Sequence, residues 1–234
     1  MGNISLTPRL QCVADCLRNC NLLADIGTDH AYIPIYAVQN GIAKRAIASD
    51  VVKGPLKIAT DNILANNLVD KITPCLANGL ESASDADEIV IAGMGGKLIC
   101  NILKEKYDIA QNADYLIIQP MTCSYELRKF LHTNNFKIVD EKLAKEEDKI
   151  YNIMVVTSGK EIYKDDFHYH IGKKLFENND ILLGDYIRLR AEVLKKQFRG
   201  MEKSENADIQ QQSKELNKLY ERFIKEAEDY DKSR

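Results

Sequence analysis

The residues best suited to chemistry gather behind short apolar runs. Asp25, Gly27, Asp29 and His30 follow Leu22-Leu23-Ala24, and Asp50 follows Ala46-Ile47-Ala48. Asn78 and Gly79 follow residues 72–76, Gly93-Met94-Gly95-Gly96 follow Ile89-Val90-Ile91-Ala92, and Gln119-Pro120 follow Leu116-Ile117-Ile118. Buried strands that give way to Gly, Asp and Asn are the pattern of an α/β sheet whose strand ends bind a nucleotide-like ligand. Gly27 lets the backbone turn closely beneath such a ligand, while Thr28 or Asp29 caps the helix expected to follow. Ionised Asp50 offers acceptors only, which suits the two donors of a ribose diol. The single-glycine turn departs from G-x-G-x-x-G, so a nicotinamide cofactor with its pyrophosphate fits poorly and a phosphate-free ligand such as S-adenosylmethionine fits better. Gly93, Gly95 and Gly96 cost backbone entropy that close ligand approach justifies; a flexible turn before a helix is the plainer alternative.

The elements that must carry these residues follow from periodicity. Thr7 is the expected N-cap and Pro8 the first-turn residue of a helix within 5–19, with Leu10, Val13 and Leu17 inward. Strands are expected at 22–25, 45–50, 72–76, 88–92 and 115–118, alternating with helices at 29–40, 53–67, 97–106 and 124–133. Such alternation implies a parallel sheet covered on both faces. Residues 136–143 and 151–157 have no helix between them, and a hairpin through 144–149 adds an antiparallel edge strand. That ending, with the acid at Asp50, favours a Rossmann-like seven-stranded methyltransferase sheet over that of a nicotinamide dehydrogenase.

From Ser158 the pattern becomes helical, which divides the chain into a sheet domain at 1–158 and a C-terminal helical domain at 159–234. A short helix is expected at 167–178. Leu183, Ile187, Ala191, Leu194, Phe198 and Met201 form one stripe, and Ile209, Leu216, Phe223 and Tyr230 recur as heptads with Leu219 between. The two stripes predict an antiparallel coiled-coil-like hairpin that breaks near 204–206. Arg188, Arg190, Lys195, Lys196, Arg199 and Lys203 are candidates for RNA backbone contact, with a solvated charged face as the alternative. Arg9, a cation at an unfavourable helix start, is a second candidate for RNA backbone contact, with a solvated surface arginine as the alternative.

Composition narrows the classes. A chain of 234 residues, 45% hydrophobic, supports one sizeable domain and a smaller one. No apolar run reaches the roughly 18 residues of a membrane span, and residues 1–10 carry no secretory pattern, so a cytoplasmic protein without a membrane partner is expected. The cysteines form no C-x-x-C pair and the histidines lack zinc-ligand spacing, so no metal is expected. Cys12, Cys16 and Cys20 are expected along one helix face as reduced core thiols, with a metal cluster as the weaker alternative. A net charge of −3 excludes a uniformly cationic surface but not a local basic face.

Several stretches together carry a resemblance: the run from Asp25 to Pro34, Ala92-Gly93-Met94-Gly95-Gly96, Ile118-Gln119-Pro120, Leu6-Thr7-Pro8-Arg9-Leu10 and Tyr151-Asn152-Ile153-Met154-Val155-Val156. Over residues 4–157 the chain resembles the bacterial tRNA (adenine-22-N1)-methyltransferase family. It departs from that pattern at Asp50, where Glu is commoner, and at Met121, where Asn follows the proline. The resemblance implies S-adenosylmethionine as cofactor and N1 of an adenine in the tRNA D-arm as target; a monomer is expected. It also implies that Asp25, Gly27, Asp29, His30, Asp50, Asn78, Gly79 and Gly93 to Gly96 hold the cofactor. Asp29 would stabilise developing charge or hold the adenine amino group, and His30 would orient Asp29 or touch the cofactor; a helix cap and a structural histidine are the alternatives. Tyr32, Gln119 and Pro120, with Met121, would meet the base. Two other classes compete: a small-molecule methyltransferase with a dimerising tail, and a non-catalytic nucleoside-binding adaptor.

Overall fold

The computed structural model describes residues 4–201, 204 and 206–232. Among these, β1 (Cys20–Ile26), β2 (Ala43–Asp50), β3 (Ile72–Leu76), β4 (Glu88–Gly95), β5 (Tyr115–Thr122), β6 (Phe136–Glu146) and β7 (Lys149–Ser158) form one sheet. Its order is β3-β2-β1-β4-β5-β7-β6, parallel except for the pairs that β7 makes. The hairpin expectation is corrected in one detail. The antiparallel strand is β7, which lies inside, between β5 and β6, and the edge strand β6 runs with the parallel set.

Alternation along each strand sorts side chains into two apolar layers. Leu23, Val90, Ile117 and Val155 face one layer with Val13 of α1 (Pro8–Ala14), Ile35 of α2 (Tyr32–Gln39) and Ile63 of α3 (Lys53–Ala65). Ala24, Ile91, Ile118 and Val156 face the other, with Ile99 of α4 (Gly96–Glu105), Ala110 of α5 (Tyr107–Asn112) and Leu127 of α6 (Ser124–Thr133).

Thr7 caps α1 by accepting from the Leu10 N–H, as its position predicts. The helix stops at Ala14, however, so Cys12, Cys16 and Cys20 do not share a helical face: Cys16 follows the helix and Cys20 opens β1. All six cysteines are free thiols. The second helix starts at Tyr32 rather than at 29, because Ala31 at φ 57° is left-handed and no side chain caps it. Thr28 and Asp29 therefore belong to the turn. α5 was not anticipated.

The chain divides into two compact units, with the boundary after Lys174. α7 (Phe167–Ile171), expected with the tail, belongs to the sheet unit. Fully buried Arg128 of α6 binds it there, donating to the carbonyls of Tyr169 and Ile171 at 3.0 and 2.9 Å. The same guanidinium reaches Glu141 Oε1 of β6 at 2.8 Å and Asn152 Oδ1 of β7 at 2.7 Å. The helix expected at 167–178 breaks at Gly172 (φ 114°), where a Cβ would stand 2.5 Å from the Glu141 carboxylate, and α8 (Lys173–Glu177) follows. In the second unit, α9 (Leu183–Met201) and α10 (Ala207–Lys232) run antiparallel. Ser213 Oγ donates to the Phe198 carbonyl at 3.0 Å and the Tyr230 hydroxyl to the Asp180 carbonyl at 2.8 Å. Leu183 to Phe198 of the predicted stripe are buried, as are Phe223 and Tyr230, while Ile209 is exposed.

Burial pushes the Glu141 carboxyl up, and Arg128 pulls it back. Arg128→Met strands that acid and should cost about 3–5 kcal/mol in urea unfolding, whereas Arg128→Met with Glu141→Met should recover part of the loss.

Candidate active site

Parallel strands end together, so the turns after β1 to β5 share one edge of the sheet. After β1 the chain reverses at Gly27 (φ 74°), whose N–H and that of Thr28 both donate to the Ser49 carbonyl, at 2.8 and 2.9 Å. A Cβ at Gly27 would lie 2.1 Å from Met94 Cε, the mobile end of the side chain that roofs this turn, and the left-handed backbone at Gly27 is what disfavours a side chain there. In β4 the register against β5 shifts between Ala92 and Met94, and Gly93 (φ 79°) projects its main chain from the ladder. Its N–H finds Gln119 Oε1 at 3.1 Å, and the same oxygen accepts from Arg9 Nη1 at 2.9 Å.

A cleft of 460 Å³ opens between these turns. Arg9, Asp25, Gly27, Asp29, His30, Tyr32 and Gly93 line it, together with Thr7, Leu10, Thr28, Ile33 and Ala92, which the sequence reading had not placed on a ligand. Asp25 is only 7% exposed. Desolvation pushes its carboxyl up to about 6; the Thr28 hydroxyl opposes this shift and the charge of Asp50 adds to it. Asp29 is exposed, with Oδ2 3.3 Å from His30 Nε2. The His30 ring stacks on Tyr32 at 5.0 Å between centroids, and its carbonyl accepts from Asn62 Nδ2 at 3.0 Å.

The other predicted residues divide. Asp50 ends β2, and one of its oxygens accepts from the Val52 N–H at 2.7 Å. Its carbonyl accepts from the Ala77 N–H at 3.1 Å, which ties in the loop bearing Asn78 and Gly79. Gly93 borders the cleft, whereas a Cβ at Gly96 would stand 2.6 Å from the carbonyl oxygens of Thr122 and Cys123, and one at Gly95 3.2 Å from Thr122 Oγ1. Packing of β4 on the main chain at the end of β5 thus accounts for Gly96, while at Gly95 the contact is only with a side-chain hydroxyl. Gln119 is fully enclosed and its amide also donates to the Pro120 carbonyl, so it braces Arg9 and Gly93 instead of facing a base. Pro120 is buried too, and Met121 is the exposed apolar side chain beside it. Two residues without a local sequence signal support Arg9: its main-chain N–H donates to Glu146 Oε2 at 3.0 Å, and its guanidinium lies 5.6 Å from the Tyr151 ring centre.

In the second unit, Arg188 pairs with Asp185 and Asp231, and Lys195 with Glu192 at 3.2 Å. Arg190 is half-buried, Lys196 and Arg199 are exposed, and Lys203 lies outside the described residues. Among the described residues no three His, Cys, Asp or Glu side chains group to hold a metal, and no helix is long and apolar enough to cross a membrane. The cradle does suit a nucleoside cofactor: where a Cβ at Gly93 would project, the nearest atom is Arg9 Nη1, 3.9 Å away, so the main chain there is open to a ligand.

Known proteins resemble this chain. Over 161 residues the chain is 37% identical to the tRNA (adenine(22)-N(1))-methyltransferase of Bacillus subtilis, covering 68% of each chain. A Streptococcus pneumoniae protein solved in complex with S-adenosyl-L-methionine is 33% identical at a TM-score of 0.83, over 94% of this chain and 100% of that one. TrmK of M. capricolum, solved with S-adenosyl-homocysteine, is 30% identical at a TM-score of 0.77, over 95% of this chain and 100% of that one. Residues 23–225 match the family described as tRNA (adenine(22)-N(1))-methyltransferase. With the match running through the cleft turns and on into the helical unit, the chain belongs to the tRNA (adenine(22)-N(1))-methyltransferase family.

Proposed function

We infer that this chain transfers the methyl group of S-adenosylmethionine to N1 of adenine 22 in tRNA. The observation that carries this reading is the cleft where buried Asp25, the open main chain at Gly93 and the exposed Asp29–His30 pair meet, in a chain of this family. When bound, the cofactor supplies a sulfonium-activated methyl group. Neutral adenine already carries an in-plane lone pair on N1, so the protein needs no general base. Its work is to align N1 with the sulfur–methyl bond and to hold the base out of its stack.

Within that reading, Asp25 accepts from the cofactor's ammonium group and Asp50 from the ribose diol, with the Asn78-Gly79 loop beside the nucleoside. Asp29 accepts from the adenine amino group and stabilises the positive charge that develops on the ring. His30 orients it, Tyr32 offers a ring face, and Met121 is an apolar wall. The α9–α10 hairpin acts as a coiled coil whose Arg190, Lys195, Lys196 and Arg199 meet phosphates; Arg188, already paired with Asp231, contributes less. The enzyme works as a monomer in the cytoplasm, a reducing compartment that suits six free thiols.

Labelled methyl from S-adenosylmethionine should appear in unmodified tRNA and vanish when adenine 22 is replaced by guanine; label in neither RNA, with cofactor bound, would overturn the reading. Asp29→Asn should lower kcat by about a hundredfold while S-adenosylhomocysteine binds as before. The raised carboxyl of Asp25 makes cofactor affinity pH-dependent. As pH falls through about 6 the acid takes up a proton and loses the ammonium, so calorimetry should show affinity falling by up to about tenfold per pH unit below that point. In the cofactor-free protein the sign is opposite, since ionising this buried acid as pH rises towards 6 costs stability. Asp25→Asn should remove both dependences. Neutralising Lys195, Lys196 and Arg199 together should weaken tRNA binding and reduce its logarithmic salt slope by up to about three, leaving cofactor affinity unchanged.

A further inference from the structure

We propose that Asn62 of α3 is a positioning residue for methyl transfer, because its amide holds the turn that carries Asp29 and His30. The proposal rests on the roles given to those two residues above. A carbonyl at the start of a helix accepts from the N–H four residues on. For Ala31 that donor is Ile35, at 3.0 Å. For His30 it would be Pro34, which has no N–H to give. Asn62 Nδ2 donates to the His30 carbonyl instead, at 3.0 Å. The next residue, Ala31, is fully enclosed and left-handed at φ 57° and ψ 24°. Alanine keeps that conformation only where its surroundings impose it, and no side chain of the turn itself caps α2.

Asn62 is itself held in place. It is half-buried in the last turn of α3, and its carbonyl accepts from the main-chain and side-chain N–H groups of Asn66, at 3.1 and 2.8 Å. Asn66 Oδ1 in turn accepts from Nε2 of Gln39, the last residue of α2, at 3.0 Å. Two amides one helical turn apart on α3 therefore reach both ends of α2. Asn62 is not among the residues lining the cleft, so it acts through the turn. The exposed carboxylate of Asp29 meets His30 at 3.3 Å, and the His30 ring stacks on Tyr32, the first residue of α2. The peptide between His30 and Ala31 is the fixed point from which these side chains are aimed. Without its donor, that peptide can rotate and Ala31 can leave the left-handed region. A misplacement of about 1 Å is enough to slow a transfer that depends on alignment.

The test follows kcat at saturating S-adenosylmethionine and tRNA, beside S-adenosylhomocysteine affinity by calorimetry. Asn62→Leu keeps the size of the side chain and removes the donor. It should lower kcat by about ten- to a hundredfold, while S-adenosylhomocysteine affinity and the KM for tRNA stay within about threefold of wild type. Asn62→Gln or Asn62→His, each of which keeps a donor, should recover most of the loss. Asn66→Ala, which loosens the other end of α2, should leave kcat within about twofold. Hydrogen exchange in Asn62→Leu should quicken over residues 29–33. Unchanged kcat in Asn62→Leu overturns the proposal. A loss matched in Asn66→Ala, or relieved by neither Gln nor His, overturns it as well, by reducing Asn62 to packing between α2 and α3. S-adenosylhomocysteine weakened in step with kcat does the same, by making the turn a cofactor support. Wild-type protein that binds S-adenosylhomocysteine yet methylates no tRNA would overturn the tRNA reading, and this role with it.

Discussion

Main-chain N–H groups that leave a parallel ladder must be donated somewhere, and the acceptors they find here shape the whole working edge of the sheet. At the end of β1 a single carbonyl, that of Ser49, takes both Gly27 and Thr28. At the bulge in β4 no backbone acceptor is in place, and the side-chain oxygen of Gln119 serves instead. Because the same oxygen accepts from Arg9, satisfying one peptide group also anchors a helix from the other end of the sequence. Met94, released by the same bulge, closes over Gly27. The two glycine turns are therefore one mechanical unit.

Within that unit two carboxylates live in opposite environments. Asp25 is enclosed and holds its proton more tightly than an ordinary aspartate; Asp29, a few residues on, is open to solvent beside a histidine. Separation of this kind lets one short turn serve two ends of a reaction. The enclosed acid lies where water is excluded, while the exposed one stays accessible from solvent. Neither needs to remove a proton, which is consistent with a site built for alignment rather than for acid–base work.

Most of the parallel strands were legible because they are apolar runs that give way to Gly, Asp or Asn, and β3 and α6 match their expected bounds. Parallel order followed from the alternation with helices. What escaped the sequence was set by distant contacts. Ala31 adopts a left-handed conformation that nothing in its type announces, so α2 begins three residues later than periodicity suggested. The cysteine spacing mimicked a helical face across what is a helix, a turn and a strand. Gly93, Gly95 and Gly96 look alike in sequence, yet Gly93 borders the cleft and Gly96 yields to the main chain at the end of β5. Gln119 was recognised as special for the wrong contact, since its partners Arg9 and Gly93 lie on other elements. The helical stripe of α9 was clear, but the ion pairs of Arg188 with Asp185 and Asp231 were not.

The β6–β7 hairpin has a consequence for how the protein comes to be. Its tip supplies Glu146 to the backbone of Arg9, 137 residues earlier, and Gln119 meets the same residue from 110 residues away. During synthesis α1 leaves the ribosome long before either partner exists. The glycine turn after β1 and its neighbour β2 can pair early, but the wall that Arg9 contributes must wait until β7 has emerged and paired with β5. Maturation of the cleft is thus coupled to completion of the sheet. A nascent chain stalled short of that hairpin would carry the nucleoside end of the site without its closing side.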